Sequence, residues 1–143
     1  MSLCLMGGSA LAEGPLPLYT THLVNGFQNW SWAANNFGDS FQGSNCISVD
    51  ATNWQAISLQ HTDFDTIYYT NLSFWVNGGA LGGQVVQLVG TLDNNGAQAY
   101  VLPTMAANTW TEYTLPLSSL GIQGVSNCSG LFFQLTPYGT SNT

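Results

Sequence analysis

The chain has 143 residues, a formal net charge of −7 and neither lysine nor arginine. This length supports one domain with its own core, but not two. The missing cations argue against nucleic-acid binding, which needs positive charge against phosphate, and against binding to anionic membranes. Hydrophobic residues make up 45% of the chain, a fraction that argues against a disordered protein.

Residues 1–15 have two interpretations. Ser9-Ala10-Leu11-Ala12 ends in the small-x-small pattern of a signal-peptidase site, and Leu3 to Leu5 is apolar. A basic segment is missing and Gly7-Gly8 breaks the apolar run, so the segment is either a leader remnant or an N-terminal arm. We therefore divide the chain into residues 1–15 and one domain over residues 16–143.

Short alternating runs between turn residues predict an all-β protein. The predicted strands are Leu16–Leu23, Phe27–Ala33, Cys46–Val49, Gln55–His61, Asn71–Asn77, Gln84–Asp93, Ala97–Leu102, Thr109–Pro116 and Gly130–Thr136. Asn35–Gly38 and Asp93–Gly96 are typical of turns, because Asn and Gly tolerate positive φ, and Leu117–Gly121 indicates a short helical turn. About nine short antiparallel strands at this spacing favour a β-sandwich of the jelly-roll type.

The run Gly26–Ala33 carries the most informative pattern. Because side chains alternate along a strand, Gln28, Trp30 and Trp32 share one face. Flat rings beside amides suit the apolar face and the hydroxyl edge of a pyranose, so one interpretation is that these residues bind sugar. The alternative is that both tryptophans are core residues of an all-β domain. Trp54, which precedes the Gln55–His61 strand, has the same two interpretations.

Further amides lie on the non-core faces of other predicted strands. Alternation places Gln60, Gln87 and Gln134 opposite apolar core residues. His61 follows Gln60 and either hydrogen-bonds a sugar hydroxyl or packs against its neighbours. A sheet face that carries amides and aromatic rings without charge is typical of a carbohydrate-binding surface.

Asp63 and Asp65 place two carboxylates after a strand end. They indicate a calcium site, the acid and base of a glycosidase, or a solvated turn in which Asp caps the backbone. No Ser, Asp and His spacing resembles that of a hydrolase, and few ionisable groups are available for acid–base chemistry. We therefore predict no catalytic residues.

The three cysteines allow several arrangements. Cys46 and Cys128 each lie near a predicted strand start, far apart in sequence, and predict either a disulfide in an oxidising compartment or two buried thiols. Cys4 is then removed with a leader, left as a thiol, or used between chains.

Five runs of the chain share their pattern with one group of proteins. These runs are Gly26–Ala33, Gly43–Val49, Trp54–His61, Tyr69–Gly79 and Trp110–Leu117. Together they resemble bacterial carbohydrate-binding modules, which are β-jelly rolls appended to secreted glycoside hydrolases such as the cellulases of soil bacteria. The resemblance spans Leu18 to Gln134. It implies non-catalytic binding of β-glucans such as cellulose, cello-oligosaccharides or xyloglucan.

The chain departs from that pattern in two places. Such modules end in a strand of the type aromatic-x-Asp-Asp-hydrophobic, which closes the sheet and helps to hold a structural calcium, and no such strand follows Leu135. Thr20 and Thr21 stand where the first strand often carries an Asp. We therefore predict no required cofactor and retain calcium as an optional structural ion. Ser2 to Pro17 is a candidate for the missing strand, within its own fold or in a neighbouring molecule.

These observations predict a secreted, non-catalytic module that binds β-1,4-linked glucan, as polysaccharide or oligosaccharide. Its stacking residues are Trp30, Trp32 and Trp54. The residues predicted to hydrogen-bond sugar hydroxyls are Gln28, Gln60, His61, Gln87 and Gln134. A glycoside hydrolase domain of a longer parent protein is a further expected partner. The alternative is a structural subunit of an extracellular assembly, in which the N-terminal strand completes the sheet of a neighbour.

Overall fold

A computed structural model describes residues 2–4, 9–10, 15–41 and 44–138, and for residues 2–4, 9, 10, 41 and 44 it describes the backbone. In this part of the chain the strands are β1 (Ser2–Cys4), β2 (Ser9–Ala10), β3 (Gln28–Asn29), β4 (Ala34–Phe41), β5 (Ser44–Asp50), β6 (Ala56–Phe64), β7 (Tyr69–Asn77), β8 (Val86–Leu92), β9 (Asn95–Val101), β10 (Trp110–Pro116) and β11 (Cys128–Leu135). One 3-10 turn, Leu117–Leu120, lies where the sequence indicates a helical turn. No helix of the described residues has the length and apolar character needed to cross a membrane.

The strands form two antiparallel sheets. Sheet I has the order β10-β7-β1-β5-β4, and β2 also pairs with β7. Sheet II has the order β3-β6-β11-β8-β9. The prediction of an all-β sandwich is confirmed, with eleven strands in the described residues rather than about nine.

The core lies between the two sheets and follows the alternation of their strands. In β11 of sheet II, Leu131, Phe133 and Leu135 are buried in the core, while Phe132 and Gln134 between them are half-buried. Phe133 meets Phe74 of sheet I at 5.1 Å between ring centroids, edge to face. Burying such a side chain stabilises the fold by roughly 1.5–3 kcal/mol, so these contacts fix which face of each sheet points outward.

The two strands described before residue 15, β1 and β2, belong to sheet I of their own chain. Leu3 of β1 pairs with Ile47 of β5 on one side and with Val76 of β7 on the other. β2 continues along β7, where Ser9 pairs with Asn71. Of the two placements expected for an N-terminal arm, the structure has the intramolecular one. The boundary between residues 15 and 16 stays a prediction.

Two predictions of local structure are wrong. Leu16–Leu23 is not a strand, because the chain reverses at Thr20, whose N–H bonds the His22 carbonyl, and leaves only an isolated bridge from Tyr19 to Leu23. Asn35–Gly38 is not a turn but part of β4. Its turn-forming residues are accommodated by a register shift between Asn36 and Asp39.

The predicted Cys46–Cys128 disulfide is also wrong, since both residues are buried thiols in this structure. Cys128 belongs to β11 and lies in the core between the sheets. Cys46 belongs to β5 of sheet I, where Ile47 and Val49 are the core-facing residues. Alternation therefore directs Cys46 to the opposite face of its sheet, away from Cys128.

A bulge in β11 determines how sheet II presents its outer face. The register against both β6 and β8 shifts between Cys128 and Gly130. Gly130 has a φ of 133°, and a Cβ added there would lie 2.1 Å from the Leu59 carbonyl oxygen. The bulge lets Cys128 enter the core while Phe132, an even number of residues away, faces outward.

Candidate functional site

Antiparallel register aligns the residues on the outer face of sheet II, some of them buried, in three rows. The first row contains Gln28, Gln60, Gly130 and Thr91. The second row contains Trp30, Ser58, Phe132, Val89 and Ala99. The third row contains Trp32, Ala56, Gln134, Gln87 and Val101. We call these three rows, together with Trp54, the platform. None of its residues is ionisable.

The three tryptophans of the platform are surface residues. Trp30, Trp32 and Trp54 are 55%, 47% and 49% exposed. Trp30 N–H donates to the Ser58 carbonyl at 2.9 Å and Trp32 N–H to the Ala56 carbonyl at 3.1 Å, so pairing with β6 continues beyond β3. The structure thus decides against core positions for all three rings.

Trp54 is held in an unusual backbone conformation. Its φ is 69°, a left-handed value that a bulky residue rarely adopts and that costs about 1–3 kcal/mol. Its N–H donates to the Leu135 carbonyl at 2.7 Å. Its carbonyl accepts the indole N–H of Trp32 at 2.7 Å and the Nε2 of Gln134 at 2.9 Å. These three bonds tie the Trp54 backbone to β11 and to the Trp32 ring.

The amides of the platform continue this network. Gln87 Nε2 donates to Gln134 Oε1 at 2.7 Å, so a chain of hydrogen bonds runs from Gln87 through Gln134 to the Trp54 carbonyl. At the other end of the platform, Gln28 Oε1 accepts the indole N–H of Trp30 at 3.1 Å. Side chains positioned in this way lose less conformational entropy when a ligand binds.

Phe132 is a platform residue that the site prediction missed. Its ring centroid lies 5.3 Å from that of Trp32, with 59° between the ring planes. The signal was present in the sequence, since alternation with the core residues Leu131 and Phe133 places Phe132 on the same face as Gln134. The ring widens the apolar part of the platform beside Trp32.

Gln60 contributes a buried hydrogen-bond acceptor. The residue is 5% exposed, and its Nε2 donates to Ser58 Oγ at 2.9 Å. Its Oε1 has no hydrogen-bond partner among the described residues. A buried acceptor without a partner costs about 1–3 kcal/mol, and a hydroxyl donor entering the first row would remove that cost.

His61 does not belong to the platform, which corrects its predicted role in binding. Alternation in β6 turns His61 to the side opposite Gln60, and its ring packs 4.9 Å from Phe27 and 5.1 Å from Phe64 between centroids. Its Nε2 lies 2.9 Å from the Asn25 carbonyl oxygen, and its Nδ1 contacts the Thr62 carbonyl. Of the two interpretations of His61, the structure therefore supports packing against neighbouring residues rather than a hydrogen bond to a sugar hydroxyl.

The carboxylates predicted as calcium ligands have separate partners. Asp65 Oδ1 accepts the Ile67 N–H at 2.8 Å, as in a solvated turn. Asp63 instead lies beside Asp93, and Asn127 Nδ2 donates to Asp93 Oδ2 at 2.7 Å. No group of three or more His, Cys, Asp or Glu side chains in the described ranges is placed to hold a metal ion. The pair expected from the sequence therefore does not assemble as one ligand set, and calcium binding stays a prediction.

The surroundings of the Asp63 carboxyl shift its pKa. Desolvation, together with a hydrogen bond and charge repulsion from Asp93, raises its pKa above the ordinary 3.8. Between pH 3.8 and the raised pKa, the carboxyl is therefore protonated more in the folded protein than in the unfolded chain. This group's contribution to stability is lost as pH rises through the raised pKa.

We expect Asp63→Asn to raise the melting temperature at pH 7, because the amide removes repulsion with Asp93 and can still hydrogen-bond. The gain should shrink as the pH falls towards 3.8, where the wild-type carboxyl is itself protonated. Thermal unfolding of both proteins across this pH range measures the effect. Asp65→Asn is the matched control, since an amide oxygen still accepts the Ile67 N–H. Equal pH profiles for Asp63→Asn and wild type would contradict the repulsion between Asp63 and Asp93.

Comparison with known proteins adds one relationship. The sequence matches no protein-family model. It is similar to an endoglucanase. That protein, from Dictyostelium discoideum, is 27% identical over 108 residues, which cover 68% of this chain. The chain spans 15% of the length of this relative.

Proposed function

We propose that this protein is a secreted, non-catalytic carbohydrate-binding module that binds β-1,4-linked glucan on the platform. The observation that carries the proposal is the exposure of three tryptophans in the uncharged platform. Trp30 and Trp32 share the outer face of sheet II, and Trp54, whose carbonyl accepts the Trp32 indole N–H, is likewise about half exposed. Exposed aromatic rings on one face form a surface for ligands that bring an apolar face of their own.

A glucan matches both components of the platform. The axial C–H groups of a glucosyl ring form an apolar face that stacks on indole, while its equatorial hydroxyls need donors and acceptors at the ring edge. Gln87 and Gln134 offer oriented amides beside Trp32, and Gln60 offers a buried acceptor. A neutral polymer also meets no repulsion from a chain of net charge −7. Stacking and hydrogen bonding thus select a neutral sugar chain over a charged ligand.

The similarity to an endoglucanase supports the same ligand class. The alignment covers 15% of that protein, a share that fits an accessory region better than a complete enzyme. The platform contains no carboxylate, whereas glycoside hydrolysis uses a pair of them across the scissile bond. We therefore propose binding without hydrolysis, with a glycoside hydrolase domain as the partner in a longer protein.

The alternative role, a subunit that donates its N-terminal strand to a neighbour, has less support. β1 already pairs with β5 and β7 of its own chain. Donation would require the arm to leave sheet I. Light scattering on the purified protein distinguishes a monomer from such an assembly.

Titration with cellohexaose by calorimetry tests the proposal. We expect saturable binding with Kd in the micromolar range, which corresponds to about −7 to −8 kcal/mol. The affinity should be the same at low and high sodium chloride, because no ion pair forms on an uncharged platform. Charged dextran sulfate serves as the control ligand and should not bind. Absence of heat with cellohexaose and with a xyloglucan oligosaccharide would contradict the proposal.

A further inference from the structure

Strand β1 joins two parts of sheet I. In the order β10-β7-β1-β5-β4, it is the strand between the β7–β10 pair and the β4–β5 pair. It spans three residues, Ser2–Cys4. A strand this short contributes few ladder hydrogen bonds, so the connection between the two parts depends on a small segment near the chain terminus.

The register of β1 brings two cysteines to facing positions. Ser2 pairs with Ser48 and Leu3 with Ile47, so the next position along both strands places Cys4 opposite Cys46. On its other side, Cys4 is paired with Trp75 of β7. Residues directly opposite in an antiparallel pair have Cα atoms about 4.5–5.5 Å apart, within the roughly 4.4–6.8 Å that disulfides span, and belong to the same face of the sheet.

We propose that Cys4 and Cys46 are a disulfide-forming pair that fastens the N-terminal arm into sheet I under oxidising conditions. Cys46 is a thiol in this structure, and Cys4 is described by its backbone. The bond would close a loop from residue 4 to residue 46 and would hold β1 between β5 and β7. This proposal is independent of glucan binding, since the pair lies in sheet I and the platform in sheet II.

The chemistry is a two-step exchange with a disulfide oxidant. The Cys4 thiolate attacks one sulfur of the oxidant, which releases one thiolate and leaves a mixed disulfide on Cys4. The Cys46 thiolate then attacks the Cys4 sulfur and releases the second thiolate. The two cysteines lose two electrons and two protons, and the oxidant becomes two thiols. Cys46 is fully buried, so Cys4 on the arm is the residue that reacts first.

Cys128 provides an internal reference thiol. It lies in the core of the sandwich, where burial raises the pKa of its thiol to about 11. A thiol with so little thiolate at neutral pH reacts slowly with a disulfide. The expected oxidised protein therefore has one disulfide and one thiol.

Mass spectrometry of the full chain after incubation with oxidised glutathione tests the proposal. We expect the intact mass to fall by two hydrogens, and one alkylatable thiol to remain after denaturation. A non-reducing chymotryptic map should contain a Cys4 peptide joined to a Cys46 peptide, since the chain offers trypsin no Lys or Arg. Cys128→Ser should lose two hydrogens as wild type does and keep no alkylatable thiol, whereas Cys4→Ser and Cys46→Ser should show no loss of mass.

Stability gives a second readout on the wild-type chain. We expect oxidation to raise the melting temperature by roughly 5–10 °C, because the closed loop restricts the unfolded chain. The same treatment should not change the melting temperature of Cys4→Ser. Three alkylatable thiols after oxidation, a linkage through Cys128, or dimers joined through Cys4 would each overturn the proposal.

Discussion

Replacing Trp54 with glycine should weaken cellohexaose binding about thirtyfold, because about 2 kcal/mol of stacking contact is lost with the ring. Glycine suits this position better than alanine does. The φ of Trp54 is 69°, where alanine would keep the backbone strain and glycine removes it. The carbonyl that accepts the Trp32 indole and Gln134 also stays in place. Calorimetry on the variant measures the loss of affinity, and circular dichroism confirms the fold.

The control for this variant is an equally exposed aromatic residue away from the platform. Tyr68 is 48% exposed, against 49% for Trp54, and lies in the connection between β6 and β7. Tyr68→Ala should bind cellohexaose as wild type does. If Trp54→Gly and Tyr68→Ala bind alike, the assignment of Trp54 to the binding surface is wrong.

Gly130→Ala should destabilise the fold by at least about 4 kcal/mol, a loss at the upper end of what single substitutions cause. The φ of 133° at this position disfavours any residue with a Cβ. The added atom would also lie 2.1 Å from the Leu59 carbonyl oxygen, a backbone atom held within β6. Urea unfolding, monitored by tryptophan fluorescence, measures the loss in the free energy of unfolding. A severe loss would show as a low yield of soluble protein.

Gly124→Ala separates the steric clash from the cost of a left-handed backbone. Gly124 has a φ of 63°, and an added Cβ there has no atom within 4 Å. Alanine at this position should cost only about 1–2 kcal/mol. If Gly130→Ala were as stable as Gly124→Ala, the close approach of Gly130 to the Leu59 carbonyl oxygen would not be required for the fold, and this prediction would be wrong.

The platform could be predicted from sequence where it depends on alternation. Gln28, Trp30 and Trp32 share one face because a period of two is a local property of the strand. The same rule turns His61 away from Gln60, but it does not show that the His61 ring packs against Phe27 and Phe64. Local pattern assigns a face to a residue but does not give its contacts.

Other features depend on contacts between distant parts of the chain. The left-handed conformation of Trp54 is held by Trp32, Gln134 and Leu135, which no local propensity reveals. The partner of Asp63 is Asp93, 30 positions later, rather than the neighbouring Asp65. Cys128 faces the core whereas Cys46 faces away from it, and this difference depends on how β5 and β11 pair within their sheets. Tertiary pairing, not residue type, decides each of these cases.

The exposure of the platform tryptophans gives the protein an optical reporter of its own. Three of the five tryptophans lie there, about half exposed to water, while Trp75 and Trp110 belong to sheet I. Indole emission shifts to shorter wavelength when water leaves the ring, so a ligand that covers the platform should change most of the protein's fluorescence. Occupancy can then be followed at nanomolar protein concentrations without any label, and insoluble polysaccharides become accessible to the same measurement through depletion of the emitting protein from solution.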